Sequence, residues 1–172
     1  MKIHEYQSKE ILRTYGMVTP DGVVGDDVDA LVSGSKKLGF PLIVKAQIHV
    51  GGRGKAGAIR VVSNLEELRK GASEILSMTV KGLKVKKVLV EKALDIKRQF
   101  YLGIIVDRSR QTNAMVVSAD GGVDIEETAK SSPERISRVF LRDVHKIEEQ
   151  DLRGLISFLE LDGSLAGRFA GT

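Results

Sequence analysis

At 172 residues and 42% hydrophobic content, the chain is long enough to bury a core as one domain or two small lobes. Its 27 Lys and Arg against 23 Asp and Glu leave a net charge of +4 spread along the sequence, and aromatics are only 5%, so a clustered basic surface with stacking rings for nucleic acid is not expected. The absence of cysteine excludes disulfides, thiolate metal sites and a cysteine nucleophile. No stretch approaches the ~18 apolar residues of a membrane span. The opening segment has two glutamates and no apolar signal core, so a cytoplasmic location without membrane contact is expected.

In chain order, the pattern predicts a first helix over His4 to Tyr15, with Ile11, Leu12 and Tyr15 on one face and Gly16 as the stop. The Thr19-Pro20-Asp21-Gly22 turn marks a lobe boundary and leads into a short strand, Gly22 to Val24. Asp26 and Asp27 precede apolar residues at helical spacing (Val28, Leu31, Val32, Leu38), and Gly39 ends that helix before the apolar strand Pro41 to Ile48. The glycine-rich segment Gly51 to Gly57 separates it from a second short strand, Ala58 to Val62.

Ser63 and Glu66 have the spacing of a capping box, opening a helix that runs to about Ser77. Three further strands are predicted over Val85 to Leu94, Gln99 to Asp107 and Asn113 to Ala119, followed by the Asp120-Gly121-Gly122 turn. Ile147 to Leu161 has helical periodicity, and a second short helix is expected after Ser164. This mixed α and β order is expected to form one lobe from Pro20 to about Asp95, with residues 1–19 and 96–172 belonging to another.

Gly52-Arg53-Gly54-Lys55-Ala56-Gly57 fits G-x-G-x-x-G, a pattern shared by unrelated folds. The segment after it reads as a strand, where a dinucleotide fingerprint needs a helix. As a phosphate loop of the G-x-x-x-x-G-K type it would need glycine where His49 stands. What remains is strand, glycine loop, strand. Such a flap can lay backbone amides and the charges of Arg53 and Lys55 over a polyphosphate, or it is a surface hairpin with two solvated cations.

Lys45 lies inside an apolar strand and needs either a partner, such as a nucleotide phosphate, or an exposed edge. Glu91, at the end of Val88-Leu89-Val90, poses the opposite question: it accepts from a base amino or ribose hydroxyl, or it is salt-bridged or solvated. His4, His49 and His145 have no second ligand at metal spacing and read as structural. The acidic stretch around Asp120, Asp124, Glu126 and Glu127 reads as a solvated turn.

Several segments match, in order, the β subunits of succinate-CoA ligases. Met1 to Glu10 resembles the family's opening helix, and Val44 to Gly57 resembles its nucleotide loop. Val90-Glu91-Lys92-Ala93, Tyr101-Leu102-Gly103, Val106-Asp107-Arg108-Ser109 and Gly121 to Glu126 continue the match. The resemblance implies an ATP-grasp fold of α/β (α+β) class, present here in part as two lobes. It further implies ADP-forming ligase activity in the tricarboxylic acid cycle, with ATP, succinate and CoA giving succinyl-CoA, ADP and phosphate through a phosphohistidine on a partner α subunit.

By the same resemblance Lys45 would contact the phosphates, Gly52, Arg53 and Gly54 would form the flap, and Glu91 with the backbone near Leu94 would hold the base. Pro20 stands where the family gates adenine against guanine; it has no amide hydrogen, which is compatible with ATP. Gln99 departs from a glutamate that receives ribose hydroxyls, yet its amide oxygen still accepts. The family's magnesium ligands and its flavodoxin-like CoA domain are not found in these residues, and the match weakens after Leu161. The chain alone is therefore expected to bind nucleotide weakly, without turnover, and to self-associate through an exposed apolar edge. A related ligase such as malate-CoA ligase, or a non-catalytic nucleotide-binding fragment, are the alternative readings.

Overall fold

The computed structural model describes residues 2–122, 125–143 and 147–170, in two compact units, Met1–Asp95 and Ile96–Thr172. His145, Val123 and Asp124, considered above, lie outside the described residues. In the first unit, α1 (Glu5–Thr14) precedes β1 (Gly22–Gly25), α2 (Val28–Ser35), β2 (Leu42–Ala46) and β3 (Ile59–Val62). Then come α3 (Leu65–Ser77), a two-strand hairpin of β4 (Thr79–Val80) and β5 (Leu83–Lys84), and β6 (Val88–Lys92). The first helix, grouped with 96–172 on sequence grounds, falls within the first unit, where its side chains pair with β2 and β6.

The main sheet has the order β1-β6-β2-β3 and is antiparallel throughout. Alternation decides its faces. Leu42, Val44 and Ala46 of β2, with Val88 and Val90 of β6, join Leu31 of α2 and Leu68, Ala72 and Ile75 of α3 in the core. The intervening residues, Ile43 and Lys45 on β2 and Leu89 and Glu91 on β6, therefore lie on the other face. Gly22 permits the close approach of β1 to β6, since a Cβ there would sit 2.9 Å from the Val90 carbonyl oxygen.

The cap of α3 departs from the sequence pattern by one residue. Asn64, not Ser63, is the cap: its side chain accepts from the Glu67 amide at 2.8 Å, while Glu67 accepts from the Ser63 amide at 2.8 Å. Leu68, Ala72 and Ile75 must face the core, and that rotation places the first helical turn at Leu65. The β4–β5 hairpin was not anticipated. Its two-residue loop, Lys81 and Gly82, has positive φ at both positions, the primed turn that suits a tight hairpin, but Lys-Gly lacks the usual Asn-Gly signal.

The second unit is a meander of β7 (Tyr101–Asp107), β8 (Thr112–Ser118) and, after α4 (Ile125–Ser131), β9 (Ile136–Phe140). Helix α5 (Glu149–Phe158) packs Leu155, with Leu159 just beyond it, against Met115, Val117 and Leu141, and α6 (Gly163–Ala170) follows. Residues 125–140, left without assignment by the sequence pattern, hold α4 and β9; neither has a long apolar period. The Gly121-Gly122 turn closes on Gln99, whose carbonyl accepts from the Gly121 amide at 3.1 Å. No helix among the described residues is long and apolar enough to cross a membrane.

Candidate functional site

β2 and β3 pair as neighbours, so residues 47–58 form a flap that leaves and re-enters the sheet at one edge. Gly52 and Gly57 adopt positive φ, which L side chains resist, and allow the loop to fold back through Ala56 amide to Gly52 carbonyl and Ala58 amide to Arg53 carbonyl bonds. These turns aim Arg53 back at the sheet. Its Nη1 donates to the Ala46 carbonyl at 2.7 Å and its Nη2 to Glu5 Oε2 at 2.7 Å.

Lys45 and Glu91 occupy the same sheet face as diagonal neighbours two residues apart in register, since Ile43 is opposite Glu91 and Lys45 is opposite Leu89. Lys45 Nζ donates to Glu91 Oε1 and, at 3.1 Å, to Glu5 Oε1. Lys9 donates to the other oxygen of Glu91 and pairs with Glu5 at 3.0 Å across one helical turn. Three cations and two carboxylates thus meet with an excess of one positive charge. Glu91 is buried to 3% side-chain exposure, which it tolerates because both oxygens are paired.

Burial works against the Glu5 carboxylate, but Lys45, Lys9 and Arg53 outweigh it and hold its pKa at about 2. Burial likewise opposes the Lys45 ammonium, and Glu91 with Glu5 reverses this and raises its pKa. His4 stacks on His49 with ring centroids 4.0 Å apart, and burial, then His49, Lys87 and Arg53, lower the pKa of His4.

The structure therefore brings together Lys45, Arg53 and Glu91 from the sequence-derived set, with Gly52 and Gly54 in the flap that aims Arg53. Pro20 lines a small cleft beside this cluster, together with Tyr6, Lys9, Arg13 and Glu91, and its carbonyl accepts from Arg13 at 2.6 Å. Leu94 is exposed in the stretch after β6, and Gln99 belongs to the second unit. Sequence reasoning missed Glu5, Lys9 and Gln47. Buried Gln47 accepts from the Tyr6 amide at 3.2 Å and so anchors the first turn of α1. Only the i, i+4 spacing of Glu5 and Lys9 hinted that they act together.

The sequence matches the ATP-grasp domain over residues 2–172. The chain belongs to the ATP-grasp family. Membership implies a nucleotide-binding domain and accords with the antiparallel sheets and the glycine flap. Among curated relatives, the β subunit of ADP-forming succinate-CoA ligase from Polynucleobacter asymbioticus is 44% identical over 159 residues, covering 88% of this chain and 41% of that protein. The same subunit from Halalkalibacterium halodurans is 40% identical, covering 98% of this chain and 46% of that protein. The chain thus spans less than half the length of these relatives.

Among solved structures, a dinucleotide-forming acetyl-coenzyme A synthetase of Ca. Korarchaeum cryptofilum superposes with a TM-score of 0.70 at 20% identity, covering 90% of this chain and 65% of that one. ATP citrate lyase from Methanothrix soehngenii gives 0.61 at 21% identity, over 84% and 36%. At these identities the likeness is one of ATP-grasp fold. Among the described residues no three His, Asp or Glu side chains converge as a metal site, and the two carboxylates of the cluster are already ligated by lysine and arginine. No metal role is assigned to them.

Proposed function

We propose that the first unit holds nucleotide phosphates for an ADP-forming succinate-CoA ligase, as part of its β subunit. The observation that carries this reading is the convergence of Lys45, from the strand, and Arg53, from the glycine flap, on one anionic position. At that position a carboxylate already takes up both cations. A phosphate group has the same charge sign and more acceptor oxygens, so it can accept the same donors.

In this proposal ATP is the nucleotide, with Mg as its counter-ion. Lys45 and Arg53 orient the phosphates and offset their charge, and Gly52 and Gly54 let the flap backbone approach. Glu91 and the chain near Leu94 face the base, and Pro20 limits what fits beside it. Phosphoryl transfer depends mainly on such positioning and charge neutralisation. The partner is an α subunit bearing the phosphorylated histidine, the reaction is reversible succinyl-CoA formation, and the setting is cytoplasmic. Self-association through the apolar strand β7 is part of the same proposal.

Calorimetric titration with ATP and GTP, with and without magnesium, tests it. Saturable ATP binding that weakens at least tenfold in Lys45→Ala is the expected result. Saturable binding of equal strength in both proteins would remove the reading.

A further inference from the structure

Glu5 lies outside the set of residues that family resemblance assigns to the nucleotide, yet its carboxylate holds two that are in it. Oε2 accepts from Arg53 at 2.7 Å and Oε1 from Lys45 at 3.1 Å, with Lys9 Nζ at 3.0 Å completing the shell. Two anionic oxygens ligated by a guanidinium and an ammonium reproduce the way protein donors ligate a phosphate. The helix that presents Glu5 is lightly held. No residue of α1 is buried, and Ile11, Leu12 and Tyr15 are exposed, so polar contacts retain it. Beneath it remains a cleft of only about 40 Å³, against the ~300 Å³ at which ligand pockets begin.

We infer that Glu5 is an internal competitor for nucleotide phosphate: it holds Lys45 and Arg53 in the empty site, and an arriving polyphosphate takes both cations from it and loosens α1 from the sheet. This rests on the nucleotide reading proposed above. The exchange leaves Glu5 paired, because Lys9, one turn along the same helix, moves with it. It also frees Glu91. In the empty state both Glu91 oxygens are engaged by Lys45 and Lys9, so it accepts from a base or ribose only once those lysines withdraw.

The test titrates the full chain with ATP and with sodium tripolyphosphate in four forms: unmodified, Glu5→Gln, Glu5→Asp and Lys45→Ala. Hydrogen exchange of the α1 amides is followed in parallel. Glu5→Gln is expected to bind both ligands about tenfold more tightly. Glu5→Asp, whose carboxylate is retracted by one methylene, shifts the same way by less and serves if the amide variant is misfolded by circular dichroism. ATP is expected to speed α1 exchange in the unmodified chain, and Glu5→Gln to start from the faster level.

ATP binding with Glu5→Gln equal or weaker, or with α1 exchange slowed by ATP, overturns the competition and leaves the nucleotide reading standing. Binding by Glu5→Gln where the unmodified chain is silent supports the competition. Silence in every form removes both.

Discussion

Glu5 and Lys45 give the site opposite responses to pH. With an ordinary value of 4.5 and a folded value of about 2, Glu5 binds its proton more weakly in the folded chain. Across that interval the unfolded state holds more protons, so this contribution to stability is complete above about pH 4.5 and disappears as the pH falls toward 2. Lys45 has the reverse sign: its raised pKa contributes fully below 10.5 and is lost as the pH rises beyond it, through the folded value. Urea midpoints measured through the acid interval are expected to fall less steeply in Glu5→Gln than in the unmodified chain; parallel curves would contradict the assignment. Lys45→Met is expected to cost about 1–3 kcal/mol in the same assay, because it removes a charged hydrogen bond to buried Glu91 while Lys9 remains.

At the scale of elements, the α3 cap shows how local pattern and tertiary demand interact. Ser63 with Glu66 and Asn64 with Glu67 both satisfy the spacing of a capping pair, and nothing local separates them. Packing of Leu68, Ala72 and Ile75 selects the second. Asn64→Ala is therefore expected to cost about 1 kcal/mol, and Ser63→Ala less than about 0.5, by chemical denaturation; the reverse order would place the cap at Ser63. The strand, glycine loop and strand were legible because β-period apolar runs flank the glycines. β9 and α4 were not, since segments of five and seven residues are too short for a period to stand out.

For the molecule as a whole, the second unit leaves β7 at the edge of its three-strand sheet with Leu102, Ile104, Ile105 and Val106 exposed. An apolar edge strand with open backbone groups favours pairing with another chain. Sedimentation is expected to show concentration-dependent self-association that Ile104→Lys reduces; a monomer at all concentrations would contradict the proposal.

The amino-acid order by itself determined the order of helices and strands apart from the β4–β5 hairpin, α4 and β9, together with the flap between two strands and the placement of Lys45 and Glu91 within apolar runs. Each is a local property, readable from periodicity and turn chemistry. Which charges meet was decided only by tertiary structure. Glu5 and Lys45 are 40 positions apart, and Lys9 and Glu91 are 82 apart. Their pairing depends on strand register and on how α1 docks, and no local pattern records either. In the sequence Lys45 called for either a partner or an exposed edge; the fold supplies partners in Glu91 and Glu5, and Glu5 stands where phosphate is proposed to bind.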